Sequence, residues 1–527
     1  MESYIHLYKT NSDFTAAYNG PDYVEPWLSL TEENMTIGYN KPKLTAITFD
    51  NITWVSDIPA TGGTATKDNC TFEVYGNYDN GTSVDISTIV TVEGKLVVPS
   101  STEGQRHEAG QLTLTALYSG FTATGNVTVY QAAVDPSTKP LTFNILSAGT
   151  INWVASSSDI AKTIEYKLND SNNWTSITSN TGESAPTITV KAGDKIQFRG
   201  NNAQCGGNDR WTVLYNSFSG STAWFELEGN IMSLIYGDDF KNNSTISSAY
   251  TFTGLFSECV NLVSAENLIL PATTLTDYCY QDMFQGCTSL TTAPKLPATT
   301  LEYYCYQHMF AGCTSLKTAP ALPAIDLAAY CYDSMFLGCT SLTTAPVLPS
   351  TTLADDCYDS MFYGCTSLTN APALPASTLA DSCYAQMFYG CTSLKTAPAL
   401  PATKLARECY DGMFRGCTSL TTAPKELPAN TLADNCYYGM FRGCTSLTTA
   451  PELPATTLKS YCYSAMFMGC TSLNYIKCLA TDISVTQCTS NWVSGVASTG
   501  TFVKPSFMTS WETGTSGIPT NWTVQNA

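Results

Sequence analysis

From about residue 250 onward the chain repeats itself. The string Cys-Tyr-x-x-Met-Phe-x-Gly-Cys-Thr-Ser-Leu occurs eight times, starting at Cys279, Cys305, Cys331, Cys357, Cys383, Cys409, Cys436 and Cys462. The period is 26 residues, with one step of 27 where Glu426 is inserted. A degenerate copy precedes the array around Leu255 to Cys259, and another follows it with Cys478 and Cys488. A period of this length restricts the chain to a solenoid, a propeller or an array, because one unit cannot bury its apolar face alone and neighbours must cover it.

Each unit reads Leu-Pro-Ala-Thr-Thr-Leu-x-x-x-Cys-Tyr-x-x-Met-Phe-x-Gly-Cys-Thr-Ser-Leu-Thr-Thr-Ala-Pro-x. On a helical wheel from Leu275 to Cys287, the recurring Leu275, Cys279, Tyr280, Met283, Phe284 and Cys287 share one half. The changing Asp277, Tyr278, Gln281, Asp282 and Gln285 share the other. This predicts a short helix with an invariant buried face. Pro294 and Pro297 exclude helix from the remainder, which is expected to be extended. The expectation is a solenoid over 250–480, with 481–527 as its C-terminal cap.

The preceding chain reads as β structure. Alternating runs at 71–75, 95–98, 111–116 and 126–130 are separated by turn signals at Asn80-Gly81, Glu93-Gly94 and Ser119-Gly120. They predict an immunoglobulin-like sandwich over 41–133. Runs at 141–145, 164–168, 187–190 and 195–198 predict a second β domain over 141–240, whose last strands, 224–227 and 231–236, cap the solenoid. The fold class is therefore mainly β and multidomain, with short helices in the solenoid. Residues 1–40 are too few for a core yet carry Tyr4, Tyr8, Phe14, Tyr18 and Trp27, so they are expected to anchor the chain by docking on a partner.

Charge narrows the partners. Lys plus Arg is 25 and Asp plus Glu is 44, a net charge of −19. A chain this poor in cations neutralises few phosphates, so no nucleic-acid partner is expected. No apolar run approaches the roughly 20 residues of a membrane span, so no membrane insertion is expected, and the first residues lack the apolar core of a secretory signal. The only histidines, His6, His107 and His308, lie far apart in sequence.

The unit resembles the leucine-rich repeat of BspA-type bacterial surface proteins. Met283-Phe284-Gln285-Gly286-Cys287 and its seven copies hold the place of that repeat's Ala-Phe-x-x-Cys. The Ala-Pro-x-Leu-Pro run is one residue longer than the usual strand. Residues 41–131 resemble bacterial Ig-like domains. The whole arrangement resembles proteins encoded by Bacteroidales bacteria and their phages, and the segments Tyr4 to Tyr8 and Glu25 to Leu28 resemble the N-termini of phage structural proteins. The resemblance implies a surface-type protein.

Several features invite a chemical reading. The cysteines form two ladders, but the two in each unit are eight residues apart, about 12 Å along a helix and too far for a disulfide. They are read as small buried residues holding reduced thiols, and no metal or cofactor is expected. His308 is read as a surface residue. The acid pairs Asp238-Asp239 and Asp355-Asp356 point apart on either a strand or a helix, and no hydrolase or nucleotide motif accompanies them. The expectation is a non-enzyme, with a polysaccharide-cleaving enzyme as the remaining rival.

The variable positions carry the binding reading. Tyr278, Tyr303, Tyr304, Tyr330, Tyr363, Tyr389, Arg415, Tyr438, Arg442 and Tyr461 give the outer face the composition of a recognition surface. Drift on a solvated face explains them equally well. The extended face, mostly Thr with Lys295, Lys317, Lys395 and Lys425, is an equal candidate. The expected role is a virion-associated binding protein of a Bacteroidales phage. Residues 1–40 would hold capsid or tail proteins, and the solenoid would contact a host surface protein or glycan; a homo-oligomer remains open. The alternative is a BspA-type adhesin on a bacterial surface.

Overall fold

The computed structural model describes residues 26–31, 34–39, 43–58, 63–79, 81–98, 107–131, 136–157, 160–169, 171–207, 215–509 and 511–527. The chain divides into two compact units, Met1–Asp135 and Pro136–Ala527.

In the first unit, Pro26–Thr31 and Asn34–Tyr39 form an antiparallel hairpin. Leu44–Trp54, Cys70–Tyr78 and Ser83–Asp85 make one antiparallel sheet; Thr91–Glu93, His107–Tyr118 and Phe121–Gln131 make another. Ile47, Val74, Leu112, Leu114 and Val129 fill one core. Ser119 and Gly120, at φ 48° and 83°, supply the two left-handed residues a tight hairpin needs. Gly94 departs from its expected turn. There the chain leaves one sheet, and Lys95–Val98 pairs instead with Gly63–Thr66. A side chain at Gly94 would press on the Thr113 carbonyl.

The second unit opens with a six-stranded sheet ordered Thr175–Thr178, Thr163–Leu168, Lys195–Arg199, Leu141–Ile145, Phe225–Asn230 and Leu262–Ile269. Residues 231–236, expected as a strand, form a turn and the short helix Ser233–Tyr236. Gly237 follows at φ 53° and accounts for the stop. Leu262–Ile269 runs parallel to Phe225–Asn230, and Ser264 then bridges Thr292 of the first full repeat. Phe143, Phe218, Phe225 and Phe256 pack across this junction, with the Phe218 and Phe256 rings 5.7 Å apart. The sheet and the repeats share one hydrophobic core.

The repeats stack in register, but the expected helices are not there. Along residues 276–287 alternate N–H groups do different work. Those of Cys279, Gln281, Met283, Gln285 and Cys287 close turns onto the residue three back. Those of Tyr278, Tyr280, Asp282, Phe284 and Gly286 donate to Tyr303, Cys305, Gln307, Met309 and Ala311 of the next repeat. Tyr278, Asp282 and Gly286 sit at φ 58°, 55° and 70°. A left-handed residue every fourth position breaks a right-handed helix and gives a chain of turns. The wheel misled because a turn chain with a four-residue beat also puts Leu275, Cys279, Met283 and Cys287 on one side. The same side is buried, but Tyr278 and Asp282, expected to face outward, are buried as well, so the division holds for the recurring residues and fails in part for the changing ones.

The extended limbs meet mostly through isolated parallel bridges, such as Thr318 with Thr344 and Thr378 with Lys404. Continuous pairing resumes in Tyr475–Lys477, Thr501–Lys504 and Thr523–Asn526 at the C-terminal end.

Candidate functional site

The interior is built from rows of identical side chains. Tyr280, Tyr306, Tyr332 and their successors form one ring stack; Phe284, Phe310, Phe336 and theirs form another, ending on Trp492. All 21 cysteines are free and buried. In the second cysteine row each thiol donates to the phenylalanine carbonyl of the preceding repeat: Cys313 to Phe284, Cys339 to Phe310 and Cys365 to Phe336, each at 3.1 Å. That carbonyl also accepts the N–H of its own repeat's cysteine, so both lone pairs are used. Sequence reasoning saw only a small apolar residue here. Burial pushes the thiols of both rows up, Cys279 of the first and Cys365 of the second to about 12, so they are not nucleophiles.

Three rows of changing residues, most of them half-exposed, run along the turn chain. The first precedes the first cysteine of each repeat. Tyr250, Tyr278, Tyr304 and Tyr330 stack at 4.6, 4.8 and 4.5 Å. This corrects the expectation for Tyr278, which lies between two rings and is only 7% exposed. The row continues through Asp356 and Ser382. Hydrogen bonding to Asp356 raises the Tyr330 phenol, with burial adding to it. Farther along, Asn435 donates to Glu408 at 3.3 Å and Tyr461 ends the row half-buried.

The second row is Gln281, Gln307, Asp333, Asp359, Ala385, Asp411 and Tyr438. Gln281 donates to Gln307 at 2.8 Å and Gln307 to Asp333 at 2.6 Å. Burial pushes Asp359 up to about 7, and the neighbouring Asp333 adds to it. Burial and Glu408 push Asp411 to about 7. His308 is not a plain surface residue: it is half-buried with Nδ1 3.3 Å from the buried Asp282 carboxylate. Burial opposes its charge, but Asp282 and Asp333 outweigh that and raise its pKa.

The third row follows Met-Phe. Tyr363 and Tyr389 stack at 4.4 Å, and the Arg415 guanidinium lies 5.1 Å from the Tyr389 ring centre. Arg442 follows, half-buried. Tyr303 stands apart from these stacks, 52% exposed. Of the anchor residues, Tyr4, Tyr8, Phe14 and Tyr18 lie outside the described residues. Trp27 falls on the first hairpin strand, paired with Gly38.

The acid pairs have structural work. Asp355 accepts the Asp381 N–H, Asp381 accepts that of Arg407, and Asp277 that of Tyr303. Their signal was visible as Asp recurring in one column. Asp238 pairs with Arg199 at 2.7 Å. On the extended face Lys295, Lys317, Lys395 and Lys425 are exposed and form no ion pair among the described residues. Among the described residues no group of three or more His, Cys, Asp or Glu side chains is arranged to hold a metal ion, and no helix is long and apolar enough to cross a membrane. The arrangement offers a rigid lattice of side-chain rows whose contents change while its core does not.

The family model described as BspA type leucine rich repeat region matches in six copies, over residues 235–343, 325–448 and 382–512. No curated protein matches the chain. The repeat matches together span more than half of the sequence, on the segment whose turns and bridges recur in register, and the chain belongs to the BspA-type leucine-rich repeat family.

Proposed function

We propose that this chain is a non-enzymatic, adhesin-like surface protein whose repeats form a solenoid that presents the three rows of the turn face to a protein or glycan. One observation supports this most: an invariant buried lattice carries outward positions that differ from coil to coil, with Tyr363, Tyr389, Arg415 and Arg442 clustered in consecutive repeats. Rings and guanidinium groups held rigid by stacking lose little entropy on contact. Because the Tyr363 and Tyr389 faces cover each other, ring edges and hydroxyls meet the ligand.

The finer reading is display on the virion of a Bacteroidales phage. Residues 1–40 would attach to capsid or tail, and the β region over 41–133, read as immunoglobulin-like, would serve as a spacer. A BspA-type adhesin on a bacterial surface is equally consistent with the repeats. Binding of the chain to candidate host cells is expected to fall at least tenfold when Tyr363, Tyr389, Arg415 and Arg442 are all replaced by Ala, with melting little changed. Undiminished binding would move recognition off the turn face. Stoichiometric presence in purified particles, lost on deletion of residues 1–40, is expected for the virion reading; labelling on intact bacterial cells would favour the adhesin.

A further inference from the structure

The turn chain has a direction, and its two ends are finished differently. In the last full repeat the N–H groups of Tyr461, Tyr463, Ala465, Phe467 and Gly469 donate forward to the carbonyls of Thr486, Cys488, Ser490, Trp492 and Ser494. Each coil thus spends its donors on the next. At the N-terminal end the surplus carbonyls are covered: Tyr250 and Thr251 accept from Gly207 and Gly206, and Leu255 from Phe218. At the C-terminal end the corresponding donors belong to Gln487, Thr489, Asn491, Val493 and Gly495. Val493 reaches the Thr515 carbonyl at 3.1 Å and Asn491 reaches Ser516 Oγ at 2.9 Å. The N–H groups of Gln487, Thr489 and Gly495 find no oxygen acceptor among the described residues.

Gln487 and Thr489 line an open cavity of about 570 Å³, whose other wall is the loop from Glu512 to Gly517. Its walls add Ser484, Ser490, Thr513 and Glu512, with the apolar Ile483 and Val485 beside them. The volume suits a small molecule of one or two rings. The loop takes only the Val493 and Asn491 donors. An occupant must bring acceptor oxygens for the N–H pair and donors for Glu512. Glu512 disfavours an anion, and the hydroxyl-rich wall disfavours an apolar guest. We infer that the C-terminal cap binds a neutral mono- or disaccharide, whose oxygens accept the Gln487 and Thr489 N–H groups and whose hydroxyls donate to Glu512. This site is separate from the turn-face rows and does not depend on them.

Saturation-transfer NMR on the full chain with N-acetylglucosamine, galactose, lactose and glucuronate tests the inference. Saturable binding is expected for at least one of the neutral sugars. Ser484→Trp and Thr513→Trp, both at exposed positions, should each weaken it at least tenfold by filling the cavity, with melting unchanged. Replacing Tyr363 and Tyr389 should leave it intact. Glucuronate should bind more weakly and gain in Glu512→Gln. Absence of binding by all three neutral sugars, or binding that survives both tryptophans in folded protein, would overturn the inference. So would concentration-dependent self-association abolished by Ser484→Trp, which would assign the end to a second copy.

Discussion

At the scale of single residues, adjacent positions in one repeat differ sharply. Met361 and Phe362 are fully buried, whereas Tyr363 is half-buried at the edge of a two-ring stack. An aspartate at 361 or 362 would bury a charge without a partner and is expected to cost more than about 4 kcal/mol. Tyr363→Asp forfeits one ring contact and is expected to cost about 1 kcal/mol. Equal losses in urea melts would refute the division between core and surface. The carboxyl row gives a pH dependence. Asp359 and Asp411 hold their protons up to about pH 7 in the fold, against an ordinary value of 3.8. Between those values the unfolded chain has released protons that the folded chain keeps, so stability falls as pH rises. His308 acts in the same direction: its raised pKa favours the fold below the unfolded value, and this is lost as pH rises through the folded one. The melting temperature is therefore expected to be higher at pH 5 than at pH 8, with the difference reduced in the double variant Asp359→Asn, Asp411→Asn. An unchanged difference would show that these carboxyls do not carry it.

At the scale of elements, the turn chain and the helix it replaces predict opposite responses to glycine. Ser360 sits at φ 51°, and Gly412 and Gly439 occupy the corresponding place two and three repeats later. In a helix, Ser360→Gly would destabilise by roughly 0.5 kcal/mol. In the left-handed turn position it is expected to stabilise by up to about 1 kcal/mol. A lower melting midpoint for this variant would restore the helix. The signal for the turn lay in the sequence. The column holding Asp282, His308, Ser334, Ser360, Gln386, Gly412, Gly439 and Ala465 contains several residues that tolerate positive φ. The strict Gly286 column, four residues on, sets the same beat. A four-residue beat of apolar positions fits both a helix and a turn chain, and periodicity by itself could not separate them.

At the scale of the molecule, the repeats depend on the sheet that precedes them. Phe256 of the first degenerate copy packs on Phe143 and Phe218, and Gly206 and Phe218 cap its carbonyls. A fragment of residues 136–527 is therefore expected to melt cooperatively near the temperature of that unit in the full chain. A fragment beginning at residue 241 would expose that aromatic cluster and is expected to aggregate or melt well below it. Equal melting of the two fragments would show that the sheet and the repeats fold independently.

The sequence by itself determined the period, the strands at 71–75, 111–116, 141–145 and 195–198, and the burial of the recurring residues of each repeat. These follow from local pattern, because alternation and recurrence fix which side chains must leave water whatever the backbone does. Tertiary structure decided the rest. Whether an N–H closes its own turn or reaches the next coil depends on a neighbour 25 residues away. So do the thiol bonds to the preceding repeat's carbonyl, the covering of Tyr278 by Tyr250 and Tyr304, the rise in Asp359, and the donors left over at the last coil. Each arises from contact between copies, which no single repeat contains.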